Sequence, residues 1–347
     1  MVNEQDLSIL LKESNSDIII DVRSPSEFFQ GHICNAVNMP LLNDEERAVV
    51  GTLYKQTSPE FAMIKGLEII GPKMKDFASV FFKLKGKRLI VYCWRGGQRS
   101  NSIAWLMRTC GLNPIVIPGG YKHYRNHVLD WVNNKYLKLY VLGGKTGTGK
   151  TELLEGLDQR SQQILDLEGL ANHKGSAFGH LGQNAQPTDE QFQNNLFHEM
   201  IKLNLSRPIW IENESRMVGR LCVPAGIWAS LRNGNLINVE ISEEERLDHV
   251  LSTYGQYDIE DLIESFKKIE KKLGNLAFNN TLIALQLGDL RTAAKLAFFY
   301  YDKNYGKKLD ENKSQNITYL NLAGFTFEQK INKLLEYAST SGKDKID

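Results

Sequence analysis

Short apolar runs alternate with longer stretches of helical pattern along the first two thirds of the chain. The runs at residues 18–20, 89–92 and 115–117 end in turn or loop residues, which is typical of buried parallel strands. Helical patterns fill the intervals between them, at residues 43–54, 59–82 and 100–110. This alternation predicts an α/β fold in which helices cross over between neighbouring strands of a parallel sheet.

A second unit of the same kind begins at residue 137, after a joint near residues 131–138. A strand at residues 137–142 precedes a glycine-rich loop and a helix from Lys150, and further strands are predicted at residues 164–167, 208–212 and 236–241. From residue 242 the pattern is mostly helical, at residues 243–254, 259–273, 280–286 and 290–300, before an apolar run at 317–322 that can return a strand to a sheet edge. We therefore predict an α/β domain over residues 1–133, a second α/β domain over 137–241, and a mostly helical region over 242–347 that can pack on the second domain.

Composition narrows the function classes. The chain of 347 residues has 42 Lys and Arg against 41 Asp and Glu, which argues against a strongly basic nucleic-acid coat but allows a local basic patch for a folded RNA. Its four cysteines show no zinc-ligand spacing, and residues 1–14 contain acids and no long apolar run. No stretch approaches the roughly 20 apolar residues of a membrane helix. We expect a reduced, cytoplasmic protein without a signal peptide or a membrane partner.

The first candidate site is the stretch YCWRGGQRS, in which Cys93 follows an apolar strand and Ser100 opens a helix. Two glycines allow a tight loop whose N–H groups point inward, and the helix adds its positive N-terminal end. Such a loop lowers the pKa of a thiol at its head and can hold an anion. The alternative is a buried structural cysteine. The predicted anion loop comprises Trp94, Arg95, Gly96, Gly97, Gln98, Arg99 and Ser100.

The second candidate site is GKTGTGKT, which fits the pattern G-x4-G-K-[ST] and lies between an apolar strand and a helix. Its N–H groups predict a cradle for a diphosphate, with Lys150 neutralising the terminal phosphate and Thr151 holding Mg²⁺ if a metal is used. No metal site is otherwise indicated, and no tightly bound cofactor is expected. The predicted diphosphate-binding residues are Gly144, Lys145, Thr146, Gly147, Thr148, Gly149, Lys150 and Thr151.

Two residues are candidates for the acidic partner of this loop. Asp166 ends the run ILD and Glu212 ends PIWIE, and either can serve as the Walker B acid or only cap a strand. The segment DLEGLANHKGSAFGH after Asp166 is rich in glycine and histidine, so it either faces a substrate or is a solvated loop. His173, with Lys174 and Ser176, is a candidate there, and Arg216 and Arg220 are candidates for a diphosphate or RNA contact, unless they only pair with nearby acids.

Residues 21–40, DVRSPSEFFQGHICNAVNMP, and the stretch IPGGY at 117–121 resemble the rhodanese domains, over about residues 1–130. Asn35 stands where these domains usually have glycine. Rhodaneses usually place the loop arginine five residues after the cysteine, whereas Cys93 and Arg99 are six apart, as in cysteine-dependent phosphatases. The wider ring favours a phosphate-bearing donor. We interpret Asp21, Arg23 and Glu27 as a structural charge network and His32 as a core histidine.

The fusion of a rhodanese-like domain bearing CWRGG to a P-loop NTPase-like domain bearing GGKTGTGKT resembles the tRNA 2-selenouridine synthases, as do DLEGLANHKGSAFG and WIENESR. This resemblance implies an enzyme that replaces sulfur by selenium at wobble 2-thiouridine. The resemblance further implies that geranyl diphosphate first alkylates the sulfur and that selenophosphate then supplies selenium. We expect Cys93 to take that selenium as a selenylated cysteine. The implied partners are tRNA, these small phosphates and a selenophosphate-supplying enzyme.

Three other interpretations stay open. A cysteine-dependent phosphatase agrees with the loop length but leaves the P-loop without a role. A P-loop kinase or NTPase with a rhodanese sulfur carrier predicts nucleotide turnover. A non-enzymatic RNA-binding regulator agrees less well with intact Cys93, Lys150 and Thr151. For RNA contact we consider a basic stripe of Lys267, Lys268, Lys271 and Lys272 on one helix, although such a stripe is more often a solvated face.

Overall fold

The structure is a computed structural model that describes residues 17–311 and 316–341. The N-terminal stretch behind the expectation of no signal peptide lies outside these ranges. In chain order the first elements are β1 (Asp17–Asp21), α1 (Pro25–Gln30), β2 (Val37–Asn38), α2 (Asp44–Gln56), α3 (Pro59–Ile70), α4 (Met74–Phe81), β3 (Arg88–Tyr92), α5 (Gln98–Thr109), β4 (Ile115–Val116) and α6 (Gly120–Asn134).

The remaining elements continue the alternation of strands and helices and then become mostly helical. They are β5 (Leu139–Gly144), α7 (Lys150–Gln159), β6 (Ile164–Leu165), α8 (Leu167–Ala171), α9 (Asp189–Met200), β7 (Ile209–Glu212), β8 (Met217–Val218), β9 (Leu221–Cys222), α10 (Ala225–Asn233), β10 (Asn235–Glu240), α11 (Glu243–Tyr254), α12 (Ile259–Lys267), α13 (Glu270–Leu273), α14 (Asn275–Gln286), α15 (Leu290–Glu311), β11 (Ile317–Asn321) and α16 (Phe327–Ser341).

The chain divides into two compact units, the first formed by Met1–Val132 with Thr188–Lys202 and the second by Asn133–Pro187 with Leu203–Asp347. The predicted domain limits stay a prediction. The grouping differs from them in placing residues 188–202 in the first unit and residues 242–347 in the second.

The first unit contains a four-stranded parallel sheet in the order β2-β1-β3-β4. The central strands β1 and β3 are largely buried, as expected for a parallel sheet that helices cover, whereas the edge strands β2 and β4 are partly exposed. Helix α9 belongs to this unit because its Asn194 is fully buried there: the side-chain amide donates to His32 O at 2.9 Å and to the Tyr121 hydroxyl at 2.8 Å. Phe197 packs edge-on against Tyr124.

The second unit contains a five-stranded parallel sheet in the order β11-β10-β5-β7-β6. The strand predicted at residues 317–322 is present as β11 and lies at the sheet edge, paired with β10. Because all strands run parallel, the loops after β5 and β7 emerge at the same edge of the sheet, where α/β proteins bind ligands. The predicted α/β fold with two parallel sheets is confirmed.

Two predicted helices are interrupted. The helix predicted over residues 59–82 ends at Ile70, passes through a 3-10 turn at Gly71–Lys73 and restarts as α4. Pro72 explains the break, since it has no N–H for an α-helical bond and disfavours helical backbone before it. The helix predicted over residues 259–273 ends at Lys267 and restarts as α13, so the four lysines do not form a stripe on one continuous helix.

Helices α11 to α15 form their own apolar cluster, centred on Leu262, Phe266, Phe278 and Leu285. None of the helices in the described ranges is long and apolar enough to cross a membrane.

Candidate active sites

Cys93 lies in the tight turn between β3 and α5, and its side chain is only 3% exposed. The turn needs glycine at position 96: its φ is +65°, and a Cβ there would lie 2.6 Å from the Ile117 carbonyl oxygen. The first-turn amides of α5, which have no acceptor within the helix, surround the same turn. The thiol therefore lies at the positive end of a helix, as predicted from the sequence.

The IPGGY segment and the residue after it hold this turn through backbone hydrogen bonds. The amides of Tyr121 and Lys122 donate to the carbonyls of Cys93 at 2.8 Å and Trp94 at 2.9 Å. Gly120 has a φ of +59°, and a Cβ there would lie 2.3 Å from the Cys93 carbonyl oxygen. Two glycines more than twenty residues apart thus let two backbone segments meet and set the shape of the loop.

The Cys93 thiol has a lowered pKa. Burial is the largest influence and raises the pKa, but hydrogen bonds from the Ser100 hydroxyl and from the amides of Ser100 and Arg95, together with the charge of Arg99, outweigh it. The Sγ and the Ser100 Oγ are 3.2 Å apart. The site therefore favours the thiolate, the form in which cysteine acts as a nucleophile.

Arg99 is held by an acid that sequence analysis treated only as part of a structural network. Its Nη1 and Nη2 donate to the Glu27 carboxylate at 2.6 and 3.2 Å. Asp21 and Arg23 form a separate buried pair, with Arg23 stacked over Tyr121, and have no contact with the loop thiol. Glu27 therefore belongs to the site, and only the 72-residue separation hides it in the sequence.

Four of the predicted loop residues are exposed. Arg95, Gly97 and Gln98 are exposed. Trp94 is 38% exposed and its ring is tilted against that of Tyr121. His32 lies outside the loop, stacked on Phe28 and bonded to its carbonyl oxygen, which agrees with a structural role.

The P-loop follows β5 and leads into α7, the context that the motif requires. Gly147 and Gly149 have φ values of +85° and +71°. A tight turn between them and Gly144 is closed by Thr148, whose amide and hydroxyl both donate to the Lys145 carbonyl, the hydroxyl at 2.7 Å. Thr146 lines a cavity that contains Lys150 and Thr151 and also an apolar cavity that adjoins it.

Lys150 and Thr151 begin α7 at the base of this loop. The Lys150 ammonium lies 3.4 Å from the Gly144 carbonyl oxygen, and the Thr151 hydroxyl donates to Glu212 Oε1 at 2.9 Å. Asp166 instead caps α8 by accepting from the Gly169 amide at 2.8 Å. Of the two candidate acids, the structure therefore places Glu212 beside the P-loop in the Walker B position.

Glu212 is one of three clustered acids. Oxygen atoms of Glu168, Glu212 and Glu214 lie within 4.8 Å of one another. Burial is the main reason that the pKa values of Glu168 and Glu212 are raised, and the neighbouring carboxylates raise them further, while Lys150 opposes the shift. Sequence analysis missed Glu168 and Glu214, although both stand two residues from a candidate acid.

A set of distant residues holds the P-loop from the helical region, and sequence analysis missed these too. The Tyr305 hydroxyl accepts from the Gly144 amide at 2.7 Å and donates to Asn238. Arg246 donates to the Thr146 carbonyl at 2.8 Å and pairs through two nitrogens with Asp302. No local motif marks these contacts, since they join positions 56 to 161 residues apart.

Three cavities of the second unit meet near the loop at residues 172–180. A phosphate cavity of about 1470 Å³, counting space open to solvent, contains Lys150, Thr151 and the three acids. An apolar cavity of about 600 Å³ adjoins it. A polar cavity of about 1150 Å³ lies on the other side and contains His173. Ser176 lines all three.

The remaining candidates are distributed as follows. Lys174 lines the phosphate cavity, with its ammonium 5.8 Å from the Tyr254 ring. Arg216 is exposed, lies over the Trp228 ring at 5.8 Å and does not line the phosphate cavity. Arg220 donates to the carbonyls of Gln186 and Pro187 and lines the polar cavity. The structure thus places Lys174 at the phosphate cavity, whereas Arg216, a predicted diphosphate or RNA contact, does not line it.

Two family models match the chain, one over the part that bears the Cys93 loop and one over the part that bears the P-loop. Residues 4–127 match the model of the rhodanese-like domain, and residues 137–291 match that of the tRNA 2-selenouridine synthase AAA domain. The chain is 35% identical to the tRNA 2-selenouridine synthase of Sulfurovum sp. over 283 residues, which are 75% of this chain and 76% of that protein. It is 30% identical to that of Shewanella woodyi over 335 residues, 86% of this chain and 90% of that one.

This chain belongs to the tRNA 2-selenouridine synthase family. Another member, from Nitrosomonas europaea, is 39% identical over 244 residues, which are 68% of this chain. The matched part spans 63% of that member's length, somewhat under two thirds. The expected architecture, a rhodanese-like domain joined to a P-loop domain with a mostly helical continuation, is confirmed.

Proposed function

We propose that this protein is an enzyme that converts the 2-thiouridine at the wobble position of tRNA to 2-selenouridine in the cytoplasm. The observation that carries the proposal is the pairing, in one chain, of a thiolate-stabilising anion loop with a P-loop whose phosphate cavity adjoins an apolar cavity. The anion loop suits selenophosphate, and the P-loop with its two cavities suits a diphosphate that carries a hydrocarbon chain.

In the first step, geranyl diphosphate alkylates the thiocarbonyl sulfur. The bond between carbon 1 of the geranyl group and the diphosphate oxygen breaks, a carbon–sulfur bond forms, and the base loses its N3 proton. Charge develops on the leaving diphosphate, where the P-loop amides and Lys150 stabilise it. The step converts a poor leaving group into a thiolate that can depart later.

The apolar cavity supports a ten-carbon chain as the donor's tail. It has apolar walls from α11, α12 and α15, and it meets the phosphate cavity at Thr146, Ser176, Val250, Tyr254 and Tyr301. Burial of a hydrocarbon chain there is favourable by roughly 0.8 kcal/mol per methylene removed from water. A nucleoside triphosphate offers no such tail, so the cavity favours a prenyl donor over a nucleotide.

In the second step, Cys93 acts on selenophosphate. A selenylated Cys93 formed from selenophosphate would need a two-electron oxidant, because the thiolate sulfur and the selenium are both fully reduced. Attack of the thiolate on phosphorus needs none: a sulfur–phosphorus bond forms, the phosphorus–selenium bond breaks, and hydrogen selenide anion leaves. That anion adds at C2 of the base and expels geranylthiolate, and water later releases phosphate from Cys93. The six-residue spacing from Cys93 to Arg99 suits a phosphoryl group in this loop.

A Mg²⁺ ion fits the second unit on the chemistry of its donors. Thr151 and Glu212, with Glu168 and Glu214 close by, offer oxygen ligands, which this hard cation prefers. Bound there, Mg²⁺ would neutralise charge on the diphosphate. A further partner of the proposed cycle is an enzyme that supplies selenophosphate.

The test is mass spectrometry of the wobble nucleoside after incubation of 2-thiouridine tRNA with the protein. We expect the geranylated nucleoside with geranyl diphosphate alone, and 2-selenouridine when selenophosphate is added. Lys150→Ala should lose geranylation, whereas Cys93→Ala should keep geranylation and lose selenium incorporation. An unchanged nucleoside under every condition contradicts the proposal and brings forward aryl phosphate hydrolysis and nucleotide turnover as assays.

A further inference from the structure

The polar cavity beside residues 172–186 has no role in the chemistry proposed above. Its walls come from this segment, from the turn between β8 and β9, and from Lys268. Gly175 and Ser176 line both this cavity and the phosphate cavity, so these two residues are a wall common to both spaces. A transfer reaction needs its acceptor next to the leaving diphosphate, and this wall is where the polar cavity meets the donor.

The wall is held in a defined conformation. The Ser176 hydroxyl accepts from the Phe178 amide at 3.2 Å, and the Tyr301 hydroxyl accepts from the Ala177 amide at 3.3 Å. Gly175 has a φ of +65°, and a Cβ there would lie 2.5 Å from a Glu168 oxygen. Reactants bound in the two cavities would therefore be positioned against the same backbone segment, which favours a defined geometry between them.

The lining of the cavity combines two cations, Lys268 and Arg220, with neutral polar groups. The Lys268 ammonium lies 3.1 Å from His180 Nε2, and burial and Lys268 lower the pKa of His180, which favours the neutral imidazole. His173 also lines the cavity, and its Nδ1 is buried beside Gly179 with no hydrogen-bond partner among the described residues. Gln183 lines the same cavity, and within residues 17–311 and 316–341 no hydrogen bond fixes its side-chain amide.

We propose that this polar cavity binds the acceptor nucleotide of the RNA, with Lys268 on its phosphate and Gln183 and His173 on the edge of its base. A uracil-type base offers two acceptors and one N–H donor, which an amide and a neutral imidazole can pair, and a lysine is a general phosphate contact. The cavity of about 1150 Å³, counting space open to solvent, is large enough for an unstacked nucleotide. This inference rests on the proposed tRNA substrate and adds where the nucleotide binds.

Only one lysine of the predicted basic group lines this cavity. Lys267 pairs with Glu264 on the helix surface, and Lys271 and Lys272 lie on the separate helix α13. Lys272 is exposed and has the same charge, so Lys272→Ala is the matched control for Lys268→Ala.

The experiment measures steady-state geranylation with 2-thiouridine tRNA and geranyl diphosphate varied separately, using wild type, Lys268→Ala, Gln183→Ala and Lys272→Ala. We expect the first two variants to raise KM for tRNA about fivefold or more and to leave KM for geranyl diphosphate unchanged. Binding of the tRNA at several salt concentrations should show a log–log slope smaller by about one in Lys268→Ala alone. A structural role for Lys268 would not change this slope.

The outcomes separate the two proposals. If wild type geranylates tRNA and both cavity variants match Lys272→Ala in KM and salt slope, the nucleotide site lies elsewhere and the inference is wrong. If both Michaelis constants change together, the cavity is structural and the inference is equally wrong. If wild type itself modifies no tRNA, the result contradicts the proposed function, on which this inference rests.

Discussion

Arg99 pairs with Glu27 through two hydrogen bonds at the rim of the Cys93 loop. The two bonds restrict the orientation of the guanidinium, and the carboxylate offsets part of the positive charge near the thiol. The reactivity of Cys93 therefore depends on an acid that lies in α1, far from the loop in the sequence.

Glu27→Gln is expected to lower the pKa of Cys93 further. The amide keeps the size of the side chain and its capping position in α1, but it removes the negative charge that partly neutralises Arg99. Alkylation of Cys93 by iodoacetamide, followed by peptide mass spectrometry between pH 5 and 9, should show its midpoint at lower pH than in wild type. A midpoint that moves upward would mean that Glu27 acts mainly by holding Arg99 in place.

Ser100→Ala is expected to shift the same midpoint in the opposite direction. Loss of a hydrogen bond to a charged group costs about 1.5 kcal/mol, and one pKa unit corresponds to about 1.36 kcal/mol, so the pKa of Cys93 should rise by roughly one unit. Ser102→Ala, at an exposed position of the same helix, is the control and should match wild type. Equal midpoints in both variants would exclude the Ser100 hydroxyl as a stabiliser of the thiolate.

Ala297→Leu should shorten the hydrocarbon chain that the P-loop unit accepts. Ala297 is 7% exposed and lines the apolar cavity, so three added carbons occupy space proposed for the distal part of a geranyl group. We expect KM for geranyl diphosphate to rise about tenfold while the five-carbon dimethylallyl diphosphate is used as well as by wild type. Ala323→Leu, at an exposed position, is the control. Equal losses with both donors would place the chain outside this cavity.

Glu168→Gln should stabilise the protein at neutral and alkaline pH. Its pKa is raised above the ordinary 4.5, so its contribution to stability is fully present below about pH 4.5 and is lost as pH rises towards the folded-state pKa. The glutamine keeps the shape of the protonated acid without titrating. The difference in Tm between variant and wild type should therefore be small at pH 5 and grow towards pH 8. A difference that is independent of pH would mean that Glu168 is ionised in the folded protein.

The local features of both sites could be predicted from the sequence because each is encoded in a few consecutive residues. Glycine at 96, 147 and 149 marks backbone that only glycine adopts easily, and the strands before these loops are apolar. Pro72 is a local signal too, since it marks the break in the helix predicted over residues 59–82.

The tertiary partners of these loops could not be predicted in the same way. The choice between Asp166 and Glu212 depends on which strand lies next to β5, and strand order has no local signal. Tyr305 and Arg246 contact the P-loop from helices whose own sequences carry no motif. The apolar cavity is likewise built from residues on several helices, each of which looks like ordinary core when it is considered alone.

Helix α9 is part of the first unit, but its sequence lies between two segments of the second unit. Thr188–Lys202 thus belongs to the unit that otherwise ends at Val132. During synthesis the ribosome completes β5, the P-loop and α7 before it delivers the residues that bury Asn194 against His32 and Tyr121. The first unit therefore reaches its final core only after more than half of the chain has been translated. A gene fragment cut at the apparent joint near residue 133 would encode a domain that lacks one of its own helices.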